Sequence, residues 1–574
     1  MDGGKNKIKY PDVNDADFYK FINKEYDEYK VPKTKKTLKE ICFPSQYQFQ
    51  LPQKFLAEFI NPNTPYRGIL IYHRIGAGKT CTAIKIAENF KGKKNILIVL
   101  PASLKGNFRG ELRSLCAGNN YLSNSDRSKL KTLDPQTDEY KHIIKQSDNK
   151  INKFYNILSY NKFAEMIKSK DIDMNNTLLI IDEVHNMISE TGTYYELLYK
   201  ILKKAPNTSR IVLMSATPMF DKPMEIALTL NLLPLNKKVP IGMDFVKTFI
   251  KTKEQKSGNL YTVKNMDKFK KLIRGYVSYF RGAPPHVFPT QNLFLTKCKM
   301  SDFQYEMYMK TIDSEKMVVD DYINEDIPNS FFIGSRMISN IAFPNGEMNE
   351  LGYESLNDDN IKMSELKQYS PKFYQIMKKI KKCEGTVFIY SNFKEYGGIK
   401  SFVKILERQR FKNYDEHGKG PKRFAIWSGD QNPQYKEEIK SIFNSINNKD
   451  GSDIKIILGS PSIKEGVSLL RVREVHILEP YWNMSRLDQV IGRAIRFCSH
   501  KDVKLDLQFV DVYIYLSTHP NIETTIDQHI MQMALSKQNI VKEFEKAIKE
   551  ASIDCTLFYN ANNYKDEDPI NCVV

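Results

Sequence analysis

A chain of 574 residues is too long for one hydrophobic core, so two or more domains are expected. With 41% hydrophobic and 27% charged residues the composition is that of a globular protein; no apolar run is long enough to cross a bilayer, and the N-terminus "MDGGKNKIKYPDVND" lacks the apolar core of a secretory signal. A net charge of +18 favours polyanionic partners through counterion release, although the lysines are spread along the chain rather than gathered in one basic block. The cysteines, at 42, 81, 116, 298, 383, 498, 555 and 572, show no metal-ligand or redox-motif spacing and read as reduced thiols of an intracellular protein.

Residues 1–44 form an N-terminal extension. From 45 to 235 short apolar runs recur: "GILIYH", "NILIVLP", "YNILSY", "LLIIDEVH" and "RIVLMSATP". Helical stretches such as "TAIKIAENF" and "YYELLYKILKK" separate them, the pattern of a parallel sheet with helical crossovers. Residues 236–370 are more polar, with turn-like "SGNLY", "RGAPPHVFP" and "NEDIPNS", and predict a helix over 302–322. Residues 371–550 repeat the α/β theme in "GTVFIYS", "RFAIWSG", "IKIILGS", "EVHILEP" and "FVDVYIYLS", and end in a long helical pattern, "QHIMQMALSKQNIVKEFEKAIKEA". Residues 551–574 form a tail whose final stretch, "NANNYKDEDPINCVV", reads as loose, and no internal repeat of fixed period is present. The expected class is α/β: two tandem lobes with parallel sheets flanked by helices, an irregular and helical insert, and a C-terminal helical extension.

The chemistry concentrates at strand ends. In "YHRIGAGKT" the strand "GILIYH" turns through glycines into a helix, so the loop of His73, Arg74, Ile75, Gly76, Ala77, Gly78, Lys79 and Thr80 suits a triphosphate. Glycine lets the backbone approach phosphate oxygens, Lys79 would reach the β and γ oxygens, and Thr80 would hold Mg²⁺. The full P-loop pattern has glycine where this chain has His73, and an ordinary loop is the bland alternative. "NNTLLIIDEVHNM" is an apolar strand ending in Asp182, Glu183, Val184 and His185. Carboxylates there point into the crevice where α/β sheets bind ligands; Asp182 would hold Mg²⁺ and Glu183 would activate the attacking water. Ser215, Ala216 and Thr217 end a third strand and either couple the nucleotide site to a nucleic-acid site or form a turn. In "MSRLDQVIGRAIRFCSH", Gln489, Arg493 and Arg496 recur at helical spacing on one face, and their arginines are candidates to neutralise a transferring γ-phosphate.

Taken in order, these motifs resemble the core of superfamily 2 helicases and translocases. "YHRIGAGKT" is similar to motif I, "ILIVLPASLKGNF" to motif Ia, "DEVH" to motif II, "SATP" to motif III and "VFIYSNF" to motif IV. "ILGSPSIKEGVSL", with Glu465 and Gly466, is similar to motif V and "QVIGRAIR" to motif VI; "LPQKFLAEFI" puts Gln53 at the family's adenine-reading position. "PASLKGNFRGEL" and "MSDFQYEMY" resemble Swi/Snf-type ATPases, while "IRGYVSYFRG", the run from "KEGVSLL" to "RFCSH", and "EASIDC" resemble the helicase-like ATPases of large cytoplasmic DNA viruses, among them poxvirus nucleoside triphosphatase I and the early transcription factor small subunit. DEVH in place of DEAH or DEAD, and His73 opening motif I, are departures that leave the substrate less defined.

The resemblance implies two RecA-like lobes, at 45–235 and 371–550, with ATP and Mg²⁺ as cofactors and a nucleic-acid-stimulated ATPase acting on DNA or RNA. It implies a viral transcription role in initiation, termination or transcript release, viral RNA polymerase or transcription factors as partners, no membrane, and a place in the virion and the host's cytoplasmic viral factory. A strand-separating RNA or DNA helicase is the alternative within this class. A non-catalytic nucleic-acid- or polymerase-binding subunit is the alternative of another class, and the intact set of Lys79, Asp182, Glu183 and Arg493 speaks against it.

Overall fold

The apolar runs of the first α/β segment become β1 (Gly68–His73), β2 (Asn95–Leu100), β3 (Tyr155–Ser159), β4 (Thr177–Ile181) and β5 (Arg210–Ser215). Nearly all their side chains are buried, as a sheet covered by helices on both faces requires. In this computed structural model, residues 8–44, 46–74, 76–134, 136–188, 192–219, 222–253, 260–315, 330–464, 467–564 and 568–573 are described. A hairpin, β6 (Ile250–Lys253) with β7 (Leu260–Val263), precedes β8 (Val277–Phe280), which joins the sheet beside β1. The order is β3-β2-β4-β5-β1-β8, with every pairing parallel.

The second sheet is also parallel throughout. It comprises β9 (Thr290–Lys299), β10 (Thr386–Tyr390), β11 (Lys412–Asn413), β12 (Arg423–Trp427), β13 (Ile456–Gly459), β14 (Val472–Ile477) and β15 (Phe509–Thr518), in the order β11-β12-β13-β10-β14-β15-β9. Each sheet with its helices is a RecA-like lobe. The chain divides accordingly into a first unit, 1–284 with 539–574, and a second unit, 285–538.

This division redistributes the segment expected as an insert. Residues 236–284 belong to the first unit and supply β8; residues 285–370 belong to the second and supply β9. β9 escapes a search for apolar runs because it is an edge strand with Leu293, Phe294 and Leu295 exposed. The helix expected over 302–322 is observed as Asp302–Ser314, and 316–329 lie outside the described residues.

The expected loose tail is corrected. After the helix Ile526–Glu550 the chain packs into the first unit. The Ile553 N–H donates to the Val277 carbonyl (2.8 Å), the Arg281 N–H donates to Asn562 Oδ1 (2.9 Å), and the Tyr19 hydroxyl donates to the Ala551 carbonyl (2.8 Å). Cys555 and Cys572 form a disulfide, so the expectation of reduced thiols fails at that pair, and the fold brings Cys81 and Cys116 side by side. Their sequence separations, 17 and 35, match no motif; the fold brings the Cα atoms to 5.6 and 5.3 Å.

In the second unit, Lys372 and Asp527 form a fully buried ion pair at 2.7 Å. Lys372 also donates to Asn340 Oδ1 (2.9 Å) and the Leu478 carbonyl (3.1 Å), and the Ser517 N–H donates to Asp527 (2.8 Å). These bonds pair the buried charges through Asp527 Oδ2 and hold the start of the helix Ile526–Glu550 against the sheet. In the first unit Phe544, from the same helix, packs against Phe245, Phe249 and Phe269 with ring centroids 5.2, 6.3 and 5.2 Å away. Truncating it leaves a cavity between three rings, so Phe544→Ala should destabilise the first unit by about 3–5 kcal/mol. Equilibrium urea unfolding would read this; a loss below about 1 kcal/mol would mean that the returning segment does not stabilise the unit.

Candidate active site

Because all strands of the first sheet are parallel, their C-terminal ends share one edge, and the candidate residues collect there. β1 ends at His73, and the loop that follows enters the helix Lys79–Phe90 with Gly76 at φ +86° and Gly78 at φ +74°. Gly78 has a second reason to be glycine: a Cβ there would lie 2.5 Å from Gln53 Nε2. Gln53, on the helix Leu51–Phe59, accepts from the Gln50 N–H (2.9 Å) and donates to the Gly78 carbonyl (3.1 Å), so its amide braces the loop. From the other side Gly282 presses on Ala77, where a Cβ would be 3.2 Å away. Lys79 and Thr80 open the helix, where N–H groups have no intrahelical partner. Ile75 lies outside the described residues.

β4 delivers the carboxylates. Asp182 follows its last residue, and Glu183 adopts φ +49°. That turn is held by the Tyr160 hydroxyl, which donates to the carbonyls of Asp182 (2.5 Å) and Glu183 (2.9 Å). Lys79 Nζ lies 3.0 Å from Glu183 Oε1, and Glu183 Oε2 lies 3.5 Å from His185 Nδ1. His185 Nδ1 is 3.0 Å from Ser215 Oγ, which also accepts from the Thr217 N–H (3.0 Å). The structure thus strings phosphate loop, DEVH box and the Ser215–Thr217 turn into one connected line, with Val184 buried behind it.

Electrostatics divide the two carboxylates. Burial, then the neighbouring Glu183, pushes the Asp182 carboxyl up to about 6. Burial also opposes charge on Glu183, but Lys79 and then His185 hold its carboxyl below the ordinary value. His185 is itself pushed down by burial, against the pull of Glu183. A buried carboxylate whose charge its surroundings disfavour fits a cation, and with the Thr80 hydroxyl Asp182 offers the oxygen donors Mg²⁺ takes.

In the second unit Gln489 lies on the helix Met484–Ile491, which ends before the arginines. The expected single helical face is therefore corrected: the regular helix ends at Ile491, Gly492–Ala494 continue as a turn that carries Arg493, and Arg496 lies beyond it. Arg493 Nε donates to the Gln489 carbonyl (3.0 Å), and both arginines donate to the Val467 carbonyl, at 3.3 and 3.2 Å. Glu465 and Gly466 lie outside the described residues. Tyr160 was missed because it follows an unremarkable strand; Ser278, which meets His73, and Asp554, which meets Ser278, lie in the stretches "IRGYVSYFRG" and "EASIDC", to which sequence reading gave a resemblance but no role.

The model for "Type III restriction enzyme, res subunit" matches residues 41–220, and that for "Helicase conserved C-terminal domain" matches 371–498. The chain is 61% identical, over 99% of both chains, to an Acanthamoeba polyphaga mimivirus protein provisionally named an ATP-dependent RNA helicase. It is 27% identical to an African swine fever virus protein named a termination factor NPH-I homolog, over 85% of this chain and 76% of the other. It is 28% identical to a provisionally named helicase of Invertebrate iridescent virus 3, over 96% of this chain and 57% of the other. Among solved structures, the Pyrococcus furiosus Hef helicase domain aligns with TM-score 0.41 at 12% identity, over 87% of this chain and 99% of that one, too loosely to add to the strand order.

The chain belongs to the superfamily 2 helicase-like ATPases of large DNA viruses. It is an ATP-binding ATP hydrolase that acts on nucleic acid.

The raised Asp182 carboxyl carries a stability consequence. Between its unfolded value near 3.8 and about 6, the folded state binds more protons, so this group's contribution falls as pH rises through that window. Asp182→Asn should therefore raise the melting temperature of the nucleotide-free protein at pH 8, by about 1–3 kcal/mol of stability, while abolishing turnover. Differential scanning fluorimetry at pH 8 reads it; a lowered melting temperature would show that the charge is stabilised in place.

Proposed function

We propose that this ATPase is a nucleic-acid-stimulated translocase of viral transcription. It would work in initiation, termination or transcript release, with viral RNA polymerase or its factors, in the virion and the cytoplasmic viral factory. The observation that carries the motor chemistry is the 3.0 Å pair of Lys79 and Glu183. Here the ammonium and the catalytic carboxylate neutralise each other. The β and γ oxygens of ATP compete for Lys79, which frees Glu183 to accept a proton from the attacking water. The pair is thus a resting contact that the substrate opens.

Thr80 and Asp182 would hold Mg²⁺, which when bound neutralises developing charge on the phosphates. The loop N–H groups between Gly76 and Thr80 orient the triphosphate, and Gln53 is placed to meet the adenine when it lets go of Gly78. His185, Ser215 and Thr217 transmit the state of Glu183 to the end of β5. Arg493 and Arg496 would complete the charge neutralisation from the second unit, their Val467 contacts holding them in place until then. Nucleic acid would be held mainly through its phosphates, which suits a net charge of +18.

The transcription role is supported by similarity to the African swine fever virus protein, whose name calls it a termination factor homolog. The second reading, a strand-separating RNA helicase, is favoured by the name of the mimivirus relative. ATPase rates against single- and double-stranded DNA and RNA, paired with a fluorescent strand-displacement assay, separate them: duplex-stimulated turnover without displacement supports a translocase, and efficient displacement overturns it.

Lys79→Ala should lose nucleotide affinity and turnover, whereas Glu183→Gln should retain binding and lose hydrolysis. Arg493→Ala should slow hydrolysis by about 10³-fold or more, the range for arginine fingers. Full ATPase activity in Arg493→Ala would remove the second unit from the reaction. Salt should suppress stimulation by nucleic acid more than basal hydrolysis.

A further inference from the structure

Three buried side chains in the first unit form a line to which no step of the reaction has yet been assigned. His73 closes β1, Ser278 lies beside it on β8, and Asp554 comes from the segment after the long C-terminal helix. All three are fully buried. His73 Nε2 is 3.0 Å from Ser278 Oγ; the Ser278 hydroxyl donates to Asp554 Oδ2, and the Tyr279 N–H donates to Oδ1 at 3.0 Å.

The bond directions follow from the chemistry of the groups. An ionised carboxylate only accepts, so the Ser278 proton is committed to Asp554. The serine oxygen then accepts from His73, which places the imidazole proton on Nε2 and leaves Nδ1 bare. Nδ1 is buried with no hydrogen-bond partner among the described residues. Burial, then Lys79, pushes the His73 imidazolium down to about 3, so the ring is neutral and its tautomer is the only variable.

We propose that Asp554, acting through Ser278, sets the tautomer of His73 and thereby the hydrogen-bonding character of the first residue of the phosphate loop. Asp554 and Ser278 are positioning residues in this scheme, which rests on the reading of 73–80 as the nucleotide loop. Protonation reverses the line without moving a heavy atom. The Ser278 proton passes to Asp554 Oδ2, the His73 Nε2 proton passes to Ser278 Oγ, and one proton from water enters at Nδ1. His73 Nδ1 then changes from acceptor to donor.

Burial pushes the Asp554 carboxyl up to about 7, against the donors Ser278, the Tyr279 N–H and Ser552, so both directions are populated near neutrality. The titratable neighbours are Lys79, whose charge acts on His73, and Tyr19, which lies near Asp554 and whose phenol is pushed up by burial and so stays neutral in this range.

Selective ¹⁵N-histidine labelling of the full chain reads the tautomer, with His73 assigned from the spectrum of His73→Gln. In Asp554→Asn, Oδ1 must keep the Tyr279 N–H, so Nδ2 faces Ser278 and the line is locked in reverse. At pH 8.5 the wild type should show the Nε2–H form and Asp554→Asn the Nδ1–H form. The wild-type pH profile of kcat/KM for ATP should contain a step near 7 that Asp554→Asn lacks, with KM raised several-fold and kcat changed less. If Asp554→Asn does not fold, Ser278→Ala should remove the same step and Ser278→Thr should restore it. Identical tautomers in wild type and Asp554→Asn, or a step that persists in Ser278→Ala, would overturn the proposal. A wild-type protein that hydrolyses no ATP would instead overturn the ATPase reading, and the His73 spectrum would still decide the tautomer question.

Discussion

A lysine ammonium and a glutamate carboxylate 3.0 Å apart, at the ends of β1 and β4, are the contact around which the first unit is organised. β1 and β4 are not neighbours; β5 lies between them. The two side chains meet only because every strand of the sheet runs the same way, so that loop, carboxylates and the Ser215–Thr217 turn arrive at one edge. Parallel pairing in turn demands helical crossovers and burial on both faces, and the uninterrupted apolar runs of β1, β4 and β5 meet that demand.

The same edge shows how one fold keeps two adjacent carboxylates in different states. Asp182 lies in the buried wall and is disfavoured as an anion, whereas Glu183, turned out by a left-handed backbone, reaches Lys79. The strain of that backbone is offset by the two carbonyl bonds from Tyr160. The separation of roles between the two acids is therefore a matter of backbone geometry at a strand end.

What could be read from sequence was whatever obeys a local rule. Buried strands announce themselves as apolar runs, and Lys79, Thr80, Asp182 and Glu183 as motif residues at strand ends. β9 did not, because an edge strand with exposed Leu293, Phe294 and Leu295 has no run bounded by burial. The break after Ile491 was hidden because Arg493 and Arg496 keep helical spacing while Gly492 ends the helix. Cys81 with Cys116, Cys555 with Cys572, and the approach of Asp554 to Ser278 join residues 17 to 276 positions apart, and no local pattern encodes such a pairing.

The first unit is discontinuous, with its final segment, 539–574, encoded after the whole of the second. On a ribosome, β1 to β8 emerge first, while the residues that cover β8 and fill the space beside Phe245, Phe249 and Phe269 do not yet exist. At about 5–20 residues per second, the intervening roughly 250 residues take about 10–50 seconds to make. During that interval the nascent nucleotide lobe lacks the segment that covers its apolar face, and its packing is complete only once residues 539–574 have been made.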